Sequence, residues 1–178
     1  MKEESLVKTF RLDYSIISGL EQEAKKQGAT LSGLVCRILR KYVTIEARIN
    51  EFGIISFLKE DFIKIIEEIP DEKIAEIGKK IGKSVSRDIL LTLFGEISLN
   101  TFRQFLTMFI CGYANWINLY EIESEDKIEF RITHNLGKKW NIFIKNYIDT
   151  LLETIINLKP EKIISTDQSL VFYIKKSL

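Results

Sequence analysis

Apolar and polar positions repeat with two different periods along the chain. Residues 6–12, Leu-Val-Lys-Thr-Phe-Arg-Leu, follow a period of two, with Phe10 and Leu12 on one side and Thr9 and Arg11 on the other. That pattern predicts a short, half-exposed strand. A helical period follows Asp13 and Ser15, uses Ile16, Ile17, Leu20 and Ala24, and closes at Lys25-Lys26-Gln27-Gly28. Cations in the last turn and a glycine just beyond it are stop signals. Thr30 then reads as the N-cap of a second amphipathic helix built on Leu31, Leu34, Val35, Ile38, Leu39 and Tyr42. Residues 6–46 thus read strand, helix, tight turn, helix. Such a unit is too small to bury its own apolar stripe. A second copy of the chain is the obvious cover.

Beyond a short connection at Arg48–Gly53, helical patterns occupy Lys59–Ile69, Asp71–Ile81 and Arg87–Phe94, with Pro70 between the first two. Gly78 and Gly82 weaken the second of them. Ser98 caps a further helix carrying Leu99, Phe102, Leu106, Phe109, Ile110 and Tyr113. At Trp116 the period returns to two. Strands are predicted over 116–123 and 127–134, then a long helix capped by Asn135 with Trp140, Phe143, Ile144, Tyr147, Ile148 and Leu151 on one stripe, then strands over 162–166 and 170–176. The expected fold class is mixed. A strand-helix-helix unit over 1–48 is followed by an α+β domain over 49–178, helices first and then β-β-α-β-β.

Composition bounds the rest. With 178 residues the chain makes one or two domains of about 100–200 residues. An apolar share of 46% with 29% charged residues is that of a folded protein, not a disordered one. The 26 basic and 25 acidic residues nearly cancel, but the excess is uneven: residues 1–48 hold nine basic and six acidic side chains, leaving 17 and 19 for the remainder. The basic surplus sits in the first quarter, where a polyanion would be met. Two cysteines, Cys36 and Cys111, build no disulfide framework and read as packed thiols. One histidine, His134, leaves too few ligands for the usual His/Cys metal sites, so no metal or cofactor is expected. The uncharged stretch Gln104–Tyr120 is 17 residues long and carries Asn115 and Asn118. A membrane span needs about 20 mostly apolar residues. Without an apolar targeting region after Met1, the expectation is a soluble, cytoplasmic protein with no membrane partner.

The run Val7-Lys-Thr-Phe-Arg-Leu-Asp13, followed by Leu20, Ala24, Gly28, Thr30, Ser32, Val35, Leu39 and Tyr42 at their spacing, resembles the ribbon-helix-helix family of the Arc, MetJ and CopG type over residues 6–44. The resemblance implies that two chains swap their N-terminal strands into one antiparallel ribbon, which enters the DNA major groove over a four-helix dimer core. A two-stranded ribbon fits that groove. Period-two alternation would then present Val7, Thr9 and Arg11 to the bases, with Arg11 able to fork onto guanine. The start of the second helix, Thr30 with the amides of Leu31 and Ser32, would hold a phosphate. Lys2 and Lys8 would add sequence-independent attraction. Val7 departs from the family, where many relatives carry a polar or basic residue. Nickel-responsive members carry several His and Cys ligands that this chain lacks.

In residues 49–178 the candidates are sparse. His134 with Gly137, Lys138 and Lys139 forms a candidate anion or small-ligand site at a strand-to-helix junction; the plainer reading is a partly buried histidine bonded to backbone. Glu67, Glu68, Asp71 and Glu72 flank Pro70, where acids favour the next helix start. Phe102, Phe105, Phe109, Tyr113 and Trp116 would line an apolar ligand pocket or, at helical spacing, plain core. No glycine-rich phosphate loop or nucleophile elbow occurs, so no enzyme is expected. The expected function is sequence-specific DNA binding as a transcriptional regulator, by a homodimer or a higher oligomer such as a tetramer. Residues 49–178 would serve oligomerisation or a small-molecule effector. The alternatives are an antitoxin and a dimeric scaffold that never touches DNA.

Overall fold

The structure is a computed structural model that describes residues 6–50, 53 and 55–176. Two compact units divide between Val43 and Thr44.

The smaller unit is an extended arm and two helices, α1 (Tyr14–Lys26) and α2 (Leu31–Lys41). The strand expected over residues 6–12 does not form, and neither does a ribbon. The first strand of the described chain begins at Asn118. The physical reason is pairing: a strand is defined by ladder bonds to a neighbour, and the described residues of this unit include no second strand to supply them. Residues 6–13 therefore run as an arm exposed on both faces, Phe10 and Leu12 included. The two helices follow their caps. Gly28 takes φ +61 past the end of α1, and Ala29 N–H donates to Ala24 O at 2.9 Å. Thr30 Oγ1 accepts from Gly33 N–H at 3.1 Å.

The larger unit begins as the chain passes through the wide π-helical turn Tyr42–Glu46 into α3 (Ala47–Ile49), whose Ile49 is fully buried. Then come α4 (Lys59–Glu67), α5 (Asp71–Phe94) and α6 (Leu99–Gln104), the last running into a π-helical stretch, Phe105–Tyr113. The sheet follows: β1 (Asn118–Glu123), β2 (Lys127–Thr133), α7 (Gly137–Leu151) extended by the π-helical turn Leu152–Ile156, β3 (Ile163–Ser165) and β4 (Ser169–Lys175). All pairs are antiparallel in the order β1-β2-β4-β3.

Strand alternation puts Ile128, Phe130 and Ile132 of β2 on the buried face beside Leu170, Phe172 and Ile174 of β4. Phe130 and Phe172 are directly opposed in register, and their rings stack at 4.9 Å. Phe102 of α6 meets Phe130 edge-on at 5.9 Å, so the helical layer closes this face. Arg103 of α6 bridges to β1 through Glu121 and Glu123, and Lys176 reaches Glu123 at 2.6 Å.

The two helices expected at Asp71–Ile81 and Arg87–Phe94 are a single 24-residue helix, α5. Gly78 and Gly82 do not break it, because they serve its packing against α7. A Cβ at Gly78 would lie 2.6 Å from Phe143 O, and one at Gly82 would lie 2.6 Å from Tyr147 O. One turn further, buried Ser86 Oγ donates to Tyr147 Oη at 2.7 Å. Only residues without a side chain let the two backbones come this close.

Candidate functional site

Three places were expected to carry chemistry, and the structure treats them differently. In the smaller unit Val7, Lys8, Thr9 and Arg11 are all exposed on the arm, and Lys2 lies outside the described residues. Leu31 and Ser32 form the first turn of α2, where backbone amides have no acceptor within the helix. Exposure is what marks these residues. Cys36, expected as a packed thiol, is exposed, and Cys111 is half-buried.

Around His134 the candidate ligands are occupied by the protein itself. The ring is 6% exposed. Nδ1 accepts from Leu136 N–H at 3.3 Å, which leaves Nε2–H to donate to Asn141 Oδ1 at 3.1 Å. Asn141 Nδ2 in turn donates to Ser165 Oγ and Thr166 O, both at 2.6 Å. Burial holds the imidazole below its ordinary pKa, against the weaker opposing pull of the Asn141 bond. The result is a neutral histidine tying the end of β2 to α7 and to the β3–β4 turn. Lys139 is equally committed: Nζ donates to Glu67 O at 2.7 Å and to Ile69 O, closing the C-terminal end of α4. Lys138 Nζ lies 3.5 Å from Asp71 Oδ2 at the start of α5. Gly137, at φ +82, makes the turn into α7. These residues are brought together, but as a structural junction.

The third place is a cleft of about 600 Å³. Three stretches distant in sequence converge on it: Gly53 with residues 55–62 around the start of α4, residues 109–116 at the end of the π-helical stretch, and residues 135–140 at the start of α7. The wider winding keeps Phe105, Phe109 and Tyr113, four residues apart, stacked at 5.3 and 5.9 Å. Phe105 points into the core, while Phe109 and Tyr113 reach the cleft wall. Trp116 and Trp140 cross at 89° with centroids 5.3 Å apart, and Trp140 Nε1–H donates to Trp116 O at 3.2 Å. Phe62 stands edge-on to Trp140 at 5.2 Å, and Phe57, 58% exposed, lies at the mouth beside Phe62. Asn115 holds φ +54 on the same wall. Of the aromatic residues proposed for a pocket, Phe109, Tyr113 and Trp116 line the cleft, whereas Phe102 and Phe105 are fully buried. Phe57, Phe62 and Trp140 were missed. No local spacing marks them, because only the tertiary fold brings their segments together.

No family model, no curated protein and no solved structure matches the chain. No helix among the described residues is long and apolar enough to cross a membrane.

Proposed function

We propose that the protein is a sequence-specific DNA-binding regulator that acts as a homodimer through its smaller unit. One observation carries the reading: this unit leaves its apolar residues uncovered. Of its described side chains only Ala24 and Leu34 are buried, while Phe10 is 72% exposed and Leu39 50% exposed, with Val7, Ile16, Ile38, Tyr42 and Val43 also open. A piece this small does not hold its fold with so little core, and a second copy would bury these positions. The chemistry beside that face suits DNA. Arg11 on an extended, unobstructed arm can fork onto guanine, Thr9 offers a hydroxyl, and Val7 a methyl contact for thymine. Lys8 and the amides of Leu31 and Ser32 beside Thr30 suit phosphate oxygens. Oligomerisation or effector sensing falls to the larger unit.

The test is fluorescence anisotropy of the wild type and Arg11→Ala with DNA fragments, including the gene's own upstream region, at two salt concentrations. Binding that depends on sequence, weakens with salt and loses about 1–3 kcal/mol of discrimination in Arg11→Ala is the expected result. Equal, weak binding of both proteins to every fragment, or none, overturns it and leaves a dimeric interaction module.

A further inference from the structure

We propose that the aromatic cleft of the larger unit binds a small planar aromatic molecule carrying an anionic group. The inference does not rest on DNA binding. Its size is right: about 600 Å³ falls within the range of small-molecule sites, roughly 300–1,000 Å³. Its wall is right as well. Phe62, Tyr113 and Trp116 are partly open along it, backed by the buried rings of Phe109 and Trp140, and a further flat ring can stack on or meet the edge of the open ones. A stripe serving only as core would be closed by its neighbours. Here Tyr113 and Trp116 remain partly open, and Phe57 stands exposed at the mouth.

Charge chooses the ligand's polar group. Among the described lining residues Lys59 is the sole charged side chain, and it forms no ion pair with any described residue. The other polar side chains of the wall include those of Ser56, Asn115 and Asn135, which are neutral. An aromatic cage alone would also attract a cation by ring quadrupoles. A lysine at the edge, with no described carboxylate in the lining, reverses that preference. Trp140 Nε1–H is already used by Trp116 O, so Trp140 supplies surface, and charge recognition falls to Lys59.

Both tryptophans of the chain stand at this cleft, which makes the test direct. The full-length protein is labelled with 5-fluorotryptophan, and its two fluorine resonances are assigned with Trp116→Phe. They are followed while 1-naphthoate, 1-naphthamide or 1-naphthylmethylammonium is added. The expected result is a saturable shift with 1-naphthoate, bound about five-fold more tightly than the neutral amide and more tightly still than the ammonium, as one exposed charge pair provides. Lys59→Gln abolishes the preference for naphthoate over naphthamide while retaining amide binding. Phe57→Ala weakens all binding roughly tenfold, as loss of a stacking ring at the mouth does. Both positions are exposed, so circular dichroism should be unchanged. No saturable shift with any probe overturns the proposal. So does binding without preference for the anion, or a preference that survives Lys59→Gln. None of these outcomes bears on DNA binding, which the titration does not involve.

Discussion

His134 shows how a residue that invites a functional reading becomes structural once both ring nitrogens are satisfied. Its pKa is held below the ordinary value of 6.5 by burial. The folded protein therefore keeps the ring neutral while the unfolded chain takes up a proton, so stability falls as pH drops below about 6.5 and is unaffected above it. Urea unfolding between about pH 7.5 and pH 5.5 should show this decline. His134→Leu removes a donor to Asn141 and an acceptor for Leu136 N–H, and should cost about 1–3 kcal/mol at neutral pH while flattening the decline. An unchanged pH profile in the variant would mean other groups cause the slope. Lys139 teaches the same lesson, since its charge is spent on the carbonyls that end α4.

At the scale of elements, Gly82 separates propensity from packing. Helix propensity alone favours alanine there by about 1 kcal/mol. The new Cβ, however, would sit 2.6 Å from the Tyr147 carbonyl, a backbone atom held in the hydrogen-bond ladder of α7. Overpacking of this kind costs about 1–3 kcal/mol and does not relax by turning a side chain. Gly82→Ala is expected to lower stability by about 1 kcal/mol or more, whereas Gly19→Ala in α1, with nothing within 4 Å, should raise it by about 0.5–1 kcal/mol. Thr30→Ala removes the cap of α2 and should cost about 1 kcal/mol, read from chemical unfolding.

These cases explain what was legible in the chain. Elements whose signal is local could be read: the stop at Gly28, the caps Thr30 and Ser98, the alternation that is β2, the stripe of α7. Readings that depended on a partner element failed. Gly78 and Gly82 look like weak points of a helix until α7 is placed against them, and residues 6–12 look like a strand although the unit's described residues include no strand to pair with. The cleft was half visible, because Phe109, Tyr113 and Trp116 lie close in sequence while Phe57, Phe62 and Trp140 do not.

For the whole molecule, the smaller unit raises the question of what covers it. On α2 and the turn after it, Ile38, Leu39, Tyr42 and Val43 repeat at one face, each about half exposed or more. Complete burial of such a side chain is worth about 1.5–3 kcal/mol, and these four have roughly half of that left to gain, so a second copy covering them would help to order the unit. Helix content in α1 and α2 should then depend on protein concentration, since association and folding share one free energy. Sedimentation should find a dimer that Leu39→Glu converts to monomer, with loss of helical dichroism. Intrinsic fluorescence should stay constant in the same variant, because Trp116 and Trp140 both belong to the larger unit. A wild type that stays monomeric with full helicity would remove the case for this face. A Leu39→Glu variant that remains dimeric would move the interface to the larger unit, where Tyr120 and Ile122 stand exposed on β1.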